Sequence, residues 1–182
     1  THPDSDHIGG LDVILYKFGA EKVFMPDYSK DTKTYDDVVQ IIKNKSLKRV
    51  QPAVGETYTL GSAEFTILGP AADASYGSNA NDYSVAIILT HGEKKFLLTG
   101  DAEEDAEADM LQNGISLKAD VYKASHHGSK TASTEEFMEA VDPEYAIISC
   151  GEGNSYGHPH AEVLNRFRSM GIQVFRTDEQ GT

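Results

Sequence analysis

The sequence predicts a single α/β (α+β) domain, with antiparallel hairpins in its first half and alternating strands and helices in its second half. Two pairs of apolar runs are each joined by a short turn, one around Gly61 and one around Gly92, as in β-hairpins. From residue 95 onward, short apolar runs alternate with segments of helical spacing. No internal repeat or interdomain linker interrupts the chain, so we assign residues 1–182 to one domain.

Each element is predicted from its own pattern. A helix is indicated where apolar residues recur at helical spacing, as Val38, Ile41 and Ile42 do behind an acidic first turn. A strand is indicated where a short apolar or β-branched run lies between turn residues. The predicted helices span residues 11–18, 34–45, 103–112, 134–141 and 161–170. The predicted strands span residues 22–25, 57–60, 64–68, 84–90, 95–99, 120–123, 145–149 and 173–175.

Composition excludes several classes of protein. The apolar fraction of 39% is ordinary for a globular domain, and no apolar run approaches the roughly 20 residues of a membrane span. The net charge of −13 argues against a broad basic surface for nucleic acid. A polyanionic substrate would therefore have to be held by metal ions and a few local cations. The single cysteine, Cys150, excludes an intrachain disulfide, and we interpret it as a small buried side chain.

The first seven residues, THPDSDH, contain four side chains that can bind metal: His2, Asp4, Asp6 and His7. Their spacing suits a tight loop that points alternate side chains at two neighbouring cations. Imidazole and carboxylate together favour divalent ions such as zinc, manganese or iron. The alternative is a solvated acidic tail, but three further clusters along the chain fit the same site.

The second cluster is a single carboxylate at the end of a buried strand. Asp101 follows the apolar run 96–98 and Gly100, and an acidic helix start follows it. A carboxylate in this position is well placed to bridge two metal ions. The alternative is that Asp101 only caps the next helix.

The third cluster, YKASHHGSK at 122–130, places two adjacent histidines after another short strand. Adjacent residues point in different directions, so we expect one of His126 and His127 to bind metal and the other to orient it or contact substrate. Ser129 and Lys130 would hold a phosphate or another anion. The alternative for these two residues is the capped start of the helix at 134–141.

The fourth cluster, GEGNSYGHPH at 151–160, follows the strand at 145–149. A glycine-rich backbone that carries Asn154, Tyr156 and His158 is typical of a loop that faces substrate. His158 would serve as an outer metal ligand or as a proton donor to the leaving group.

These four clusters, in this order, resemble the metallo-β-lactamase-like hydrolase superfamily. The residues within these motifs are similar to those of one branch, the soluble domain of ComEC-type competence (DNA-uptake) proteins and their stand-alone relatives. The resemblance rests on THPDSDHIGG at 1–10, NDYSVAIILTHGEKKFLLTGD at 81–101, YKASHHGS at 122–129, GEGNSYGHPHAEVL at 151–164 and FRTDEQGT at 175–182.

The resemblance implies a four-layer αββα sandwich with two divalent metal ions, zinc or manganese, at one edge of its sheets. His2 and Asp4 would bind one ion and Asp6 and His7 the other, with Asp101 between them. One histidine of the pair His126 and His127 would complete the set.

The chain departs from the superfamily pattern at two positions. Asp4 stands where the commoner motif has histidine, which favours manganese over zinc. Asn81 and Asp82 stand where many members place another ligand histidine, which leaves the number of bound ions open.

The resemblance also raises an expectation about the extent of the chain. In this superfamily several strands precede the metal-binding loop, whereas here the loop begins at residue 2. We therefore expect the domain to be truncated at both ends, with roughly 50–70 residues of strands missing upstream. One sheet would then expose an apolar face. The same branch implies a location outside the cytoplasm, secreted or on the outer face of the cytoplasmic membrane.

Three functional hypotheses follow. The first is a metal-dependent phosphodiesterase, a nuclease acting on DNA, in which metal-activated water attacks phosphorus. In it, Asp6 or a nearby histidine would shuttle the proton, while Asn154, Lys130 or His158 would stabilise the developing charge. The second keeps the enzyme class but changes the substrate to a smaller ester, such as a phosphocholine ester of a cell-wall polymer or a lactone. The third is a non-catalytic metal-binding interaction domain.

Overall fold

The computed structural model describes residues 1–181, which contain seven α-helices, nine β-strands and two 3₁₀ turns. The helices are α1 (Ser5–Ile8), α2 (Leu11–Lys17), α3 (Lys33–Asn44), α4 (Glu104–Gln112), α5 (Glu135–Val141), α6 (Ala161–Ser169) and α7 (Thr177–Gln180). The strands are β1 (Lys22–Phe24), β2 (Lys48–Val50), β3 (Thr57–Leu60), β4 (Ala63–Gly69), β5 (Ala86–His91), β6 (Lys94–Leu98), β7 (Val121–Lys123), β8 (Tyr145–Ile148) and β9 (Gln173–Arg176). The 3₁₀ turns are Asn81–Tyr83 and Ser125–Gly128.

Seven strands form one mixed sheet in the order β3-β4-β5-β6-β7-β8-β9. The strands from β3 to β6 pair antiparallel, and those from β6 to β9 pair parallel. Tight turns join β3 to β4 and β5 to β6, whereas α4, α5 and α6 provide the longer crossovers that parallel neighbours require. The predicted α/β class, with hairpins first and strand–helix units second, is confirmed.

A second sheet, of the two parallel strands β1 and β2, faces the larger sheet. Val23 is buried in an apolar cluster with side chains of α2 and α3. The next residue, Phe24, points to the opposite face, and its ring centroid lies 4.8 Å from that of Tyr58 and 5.8 Å from that of Phe65. The layers therefore follow the order helix, sheet, sheet, helix, with two strands in the first sheet. That further strands precede this chain remains a prediction.

The main core lies between the seven-stranded sheet and helices α4 to α6. At its centre, the ring of Tyr122 on β7 lies 6.2 Å from Phe137 of α5 and 6.3 Å from Phe167 of α6. This core holds the carboxyl ends of β6, β7 and β8 rigidly at one edge of the sheet. Loops that follow these three strands carry Asp101, the histidine pair and the 151–160 segment.

Glu107 of α4 fixes the chain segment that follows the histidine pair. Its carboxylate accepts backbone N–H groups from Ser133 at 2.6 Å and Thr134 at 2.9 Å. Burial raises the pKa of Glu107 to about 7. Helix α4 thereby anchors the 125–134 segment against the core.

The helix layer that packs on the two-stranded sheet exposes apolar side chains. Helix α2 and the residue after it expose four large apolar side chains: Val13, Ile14, Tyr16 and Phe18. Within residues 1–181, no helix combines the length and the apolarity that crossing a bilayer requires.

Three short elements, α1, β2 and α7, were not predicted from the sequence. Each has three or four residues, which is too short for a periodic apolar pattern to be recognised. Residues 5–8 were expected to be a loop, but the Asp4 carbonyl accepts the N–H groups of His7 and Ile8 at 3.0 Å and closes a single helical turn there.

Candidate metal centre

The metal-binding loop at residues 1–7 is attached to the sheet by its first residue. The Thr1 backbone nitrogen donates to the Val85 carbonyl at 2.6 Å, and the Val85 N–H donates back to the Thr1 carbonyl at 3.0 Å. This pairing extends β5 backwards and lays the loop beside the end of β6. Four residues that are distant in sequence from Asp101 thus come to lie around it.

His2 is buried, and a hydroxyl group orients its ring. Ser84 Oγ accepts the Asp101 N–H at 3.0 Å and lies 3.1 Å from His2 Nδ1. A hydroxyl can accept from both groups, which leaves the Nε2 lone pair of His2 available to a metal ion. Burial lowers the pKa of His2 to about 4, so the ring is neutral at pH 7. Sequence reasoning did not identify Ser84, because its role depends on contacts across the fold.

The centre of the site is the carboxylate of Asp101, which is 3% exposed. Its Oδ2 lies 3.0 Å from His7 Nε2 and 3.5 Å from His127 Nε2. Asp6 Oδ2 lies 3.5 Å from each of the same two ring nitrogens. One ligand atom from each of these four residues lies within 4.8 Å of those of the other three.

The atoms that face this cluster fit a cation. His7 Nε2, His127 Nε2 and Asp101 Oδ1 are buried and lack hydrogen-bond partners. His127 Nδ1 donates to the Ser149 carbonyl at 2.6 Å, so in the neutral ring Nε2 carries a lone pair towards Asp101. Opposed acceptors in a buried space are unfavourable, at about 1–3 kcal/mol for each unsatisfied group, unless a cation lies between them. The residues present therefore fit a divalent ion.

The pKa values of Asp101 and His127 are shifted because these two side chains lie close together. The Asp101 carboxylate raises the pKa of His127. Burial of Asp101 opposes ionisation, but His127 and His7 outweigh it and hold the pKa of that carboxyl well below its usual range. The ion pair between Asp101 and His127 thus favours the charged form of both groups.

Both histidines of the pair approach Asp101. His126 and His127 adopt left-handed backbone conformations, with φ of 46° and 55°, and this turns the chain sharply at the end of β7. His126 Nε2 lies 4.0 Å from Asp101 Oδ2, further than the 3.5 Å of His127 Nε2. His127 belongs to the compact group of four, whereas His126 lies at its rim. Which of the two binds metal remains a prediction, and this geometry favours His127.

Glu103 is a member of the site that sequence reasoning missed. Its Oε1 lies 2.8 Å from His126 Nδ1 and accepts the Thr131 hydroxyl at 2.7 Å. Its Oε2 accepts the Asn79 amide at 2.9 Å. Glu103 therefore orients the His126 ring with its Nε2 towards Asp101. The one available signal was its position two residues after Asp101, and we had interpreted it as part of an acidic helix start.

We expect Glu103→Gln to weaken metal binding by about 10-fold, the lower end of the range for outer carboxylates, because Glu103 orients His126 at the rim of the group of four ligands. Competition with a chromophoric chelator measures the affinity. Glu104→Gln, an exposed neighbour in the same sequence, is the matched control and should leave the affinity unchanged. Equal affinities of the Glu103→Gln and native proteins would contradict the role.

In the half of the site around His2 and Asp4, the Asp4 carboxylate is paired with a lysine. Asp4 Oδ1 lies 3.7 Å from His2 Nε2 and forms a hydrogen-bonded ion pair with the ammonium group of Lys30.

Asp82 stands at the position where many members of the superfamily place a ligand histidine, but its carboxylate is directed at other groups. Its buried carboxylate accepts the Glu103 N–H at 2.7 Å and the Asn79 amide at 2.6 Å. Burial raises the pKa of Asp82.

The 151–160 loop closes one side of the centre. The Asn154 amide donates to the carbonyls of Gly151 at 2.9 Å and His158 at 2.6 Å, and its oxygen accepts the His158 N–H at 3.0 Å. The Asn154 side chain is thus engaged with its own loop and shapes it. A direct role of Asn154 in catalysis or substrate binding remains a prediction.

Aromatic rings extend from the centre along this loop. The His158 ring centroid lies 5.4 Å from that of His126, and the Tyr156 ring stacks on His158 at 5.7 Å with an angle of 22° between planes. Tyr156 is 77% exposed. The rings of Tyr156, His158 and His127 line a cavity of about 280 Å³ beside the cluster.

The two proposed anion-binding residues lie nearby. Ser129 is buried, and its hydroxyl lies 2.9 Å from that of Thr131. Lys130 is exposed, and its backbone N–H donates to His160 Nδ1 at 3.1 Å. Ser129 therefore helps to hold the loop, whereas the Lys130 side chain faces solvent. Their contact with substrate remains a prediction.

Comparison with known proteins identifies the family. A family model described as the metallo-beta-lactamase superfamily matches residues 1–152. The chain belongs to the metallo-beta-lactamase superfamily. Membership confirms the resemblance found in the sequence and, with the His/Asp cluster, indicates a metal-dependent hydrolase.

Curated relatives of this superfamily member include one that is named as a competence protein. The chain is 32% identical to ComE operon protein 3 of Bacillus subtilis, 35% to Competence protein ComA of Neisseria gonorrhoeae and 29% to Recombination protein 2 of Haemophilus influenzae. Each match covers 100% of this chain but 23%, 24% and 21% of the respective relative. The chain therefore spans about a quarter of the length of these relatives.

A solved structure supports the fold. The crystal structure of CmlA, a diiron beta-hydroxylase from Streptomyces venezuelae, matches 97% of this chain and 42% of its own with a TM-score of 0.64. The two sequences are 14% identical, so the likeness concerns the fold alone.

Proposed function

We propose that this protein is a metal-dependent phosphodiesterase that cleaves DNA during uptake or scavenging, outside the cytoplasm. The observation that carries the proposal is the partly buried cluster of Asp6, His7, Asp101 and His127, in which unpartnered atoms of the last three fit a divalent ion. Similarity to the competence proteins supports DNA as the substrate. Their names, however, describe chains about four times as long.

The ligand set follows from the geometry. Asp6, His7, Asp101 and His127 would hold one ion, zinc or manganese. For a second ion, the resemblance implies His2 and Asp4 as ligands, but Asp4 already pairs with the Lys30 ammonium group. When bound, a divalent ion activates water for attack on phosphorus and offsets negative charge on the phosphoryl oxygens.

The side chains around the cluster have distinct tasks. Asp6 is the most solvent-accessible carboxylate of the group, so it would take the proton that the attacking water releases. Burial and the neighbouring His126 and His160 lower the pKa of His158. A neutral His158 would therefore stabilise a phosphoryl oxygen or leaving group through an N–H hydrogen bond. Lys130, exposed beside the same loop, would attract the phosphate backbone.

The rings next to the centre support a single-stranded substrate. Exposed aromatic side chains stack on unpaired bases without regard to sequence. Tyr156, stacked on His158 at the mouth of the cavity, offers such a surface. A short contact of this kind also accommodates the net charge of −13, because it does not require many cationic contacts.

The decisive experiment is hydrolysis of single- and double-stranded DNA by protein that has been stripped with a chelator and reloaded with manganese or zinc. Cleavage that returns with metal would support the proposal. Metal retained at the centre without cleavage of either substrate would refute DNA as the substrate.

Tyr156→Ala tests the substrate surface. Loss of one stacked base is worth about 1–3 kcal/mol, so kcat/KM for single-stranded DNA should fall by roughly 5- to 150-fold, mainly through KM. Tyr156→Phe retains the ring and should behave as the native protein does. Cleavage of duplex DNA should change much less, because its bases are already stacked. An equal loss on both substrates would argue against base stacking.

The same cavity favours a second candidate, a smaller ester. A volume of about 280 Å³ beside the cluster suits a compact group, and the Tyr156 face would attract the trimethylammonium of a phosphocholine ester. A lactone would fit a cavity of this size as well. Hydrolysis of phosphocholine esters or lactones by metal-loaded protein that leaves DNA intact would favour this alternative. A protein that retains no metal at all would favour a non-catalytic interaction domain.

A further inference from the structure

Lys30 lies at the metal centre although the sequence pattern does not associate it with any cluster. It belongs to the loop between β1 and α3, and its ammonium group is hydrogen-bonded to Asp4 Oδ1. Its side chain is 34% exposed, so most of it is covered by protein.

The loop that carries Lys30 is fixed in place. The Lys30 carbonyl accepts the Thr32 N–H at 3.0 Å, and the Thr32 hydroxyl accepts the Tyr35 N–H at 3.3 Å as the cap of α3. Ser5 of the metal-binding loop donates to Thr34 at 3.3 Å. The backbone that carries Lys30 is therefore fixed beside the metal-binding loop, and the ion pair with Asp4 holds the ammonium group there.

The two halves of the centre differ in their supply of ligands. Within residues 1–181, one group of at least three candidate ligands is compact, and it consists of Asp6, His7, Asp101 and His127. The other half offers His2 and Asp4 on their side of Asp101. The carboxylate of Asp82 is directed at backbone N–H groups of α4 and does not add to them.

The charges of the candidate ligands also favour one divalent ion over two. Asp4, Asp6 and Asp101 carry three negative charges, and the histidines are neutral when they bind metal. One divalent ion together with the Lys30 ammonium neutralises these charges. Two divalent ions beside Lys30 would leave an excess of two positive charges in a partly buried site, which is costly.

We propose that the Lys30 ammonium takes the place of a second divalent ion beside Asp4, so that the native centre binds one ion tightly. The inference rests on the metal binding of the proposed function but not on its substrate. An ammonium group beside Asp4 would also offer a point charge to a phosphoryl oxygen.

Metal content tests the proposal directly. Native protein reloaded with manganese and freed of excess ion should retain about one ion per chain, and Lys30→Ala and Lys30→Gln should retain about two. The paramagnetic resonance spectrum should change from that of an isolated Mn²⁺ ion to that of an exchange-coupled pair. Lys33→Ala is the matched control, because it removes a nearby, exposed lysine that pairs with Asp37 at 2.5 Å, and it should retain one ion.

Three results would overturn the proposal. They are two tightly held ions in the native protein, one ion in both Lys30 variants, and no ion in any protein. Thermal unfolding of the metal-free variants verifies that they are folded. Because metal content is measured without substrate, failure to cleave DNA would leave the proposal intact and would bear on the proposed function alone.

Discussion

Asp101→Asn is expected to empty the metal centre. The change keeps the shape of the side chain but removes the charge that faces His7 at 3.0 Å and His127 at 3.5 Å. Mutation of partners outside the ligand shell typically costs 10- to 100-fold in metal affinity, so loss of a central ligand should cost at least about 100-fold. Metal-dependent hydrolysis should fall with the metal content.

Two measurements separate loss of metal from loss of fold. Metal content after removal of excess ion reports binding directly. Thermal unfolding reports linkage, because an ion present at 100 times its Kd stabilises the native protein by about 2.7 kcal/mol, and Asp101→Asn should lose this increment. Asp105→Asn, an exposed carboxylate of the following helix, is the matched control and should keep both metal and increment. Native metal content in Asp101→Asn would remove Asp101 from the ligand set.

Gly100→Ala is expected to destabilise the fold by roughly 2–5 kcal/mol, about 1–2 from left-handed backbone and 1–3 from overpacking. Gly100 has φ of +61°, and a Cβ atom there would lie 2.7 Å from Ser84 Oγ and 3.1 Å from Thr1 Cα. Neither neighbour can move freely, because Ser84 contacts His2 and Asp101 through hydrogen bonds and Thr1 pairs with β5.

Gly92→Ala provides the matched comparison for this close approach. Gly92 has nearly the same φ, +60°, but a Cβ atom there would meet nothing within 4 Å. It should therefore cost only the left-handed strain, about 1–2 kcal/mol. Urea unfolding of both metal-free variants gives the difference, which isolates the contact between the end of β6 and the metal-binding loop. Equal destabilisation of the two variants would show that this contact contributes nothing.

Much of the fold and part of the centre could be predicted from the sequence. Helical spacing, as in α3, and turn-bounded apolar runs, as in the two hairpins, are local patterns that depend on which faces are buried. Asp101 and the pair His126 and His127 could be placed at one edge of the sheet because each follows a strand, and parallel neighbours bring their carboxyl ends to one edge. The superfamily resemblance then connected the N-terminal cluster to the same edge.

Other members of the site could not be predicted. By sequence, Glu103 belongs to an acidic helix start, Asp82 stands where other members place a ligand histidine, and Lys30 lies in a predicted loop. Their roles depend on which side chain each one meets: His126, the N–H groups of α4, and Asp4, respectively. Those partners are 20 or more residues away along the chain, and no local pattern encodes such a pairing.

The sequence by itself therefore determined the fold class, the order of the clusters and the chemistry of the donor groups. Only the tertiary structure decided which of these groups contact one another. It brings one ligand atom from each of Asp6, His7, Asp101 and His127 within 4.8 Å of the others. It pairs His126 with Glu103 and Asp4 with Lys30. The physical reason is that ligand type is a property of single residues, whereas coordination and charge balance depend on distances of 3–4 Å set by packing throughout the domain.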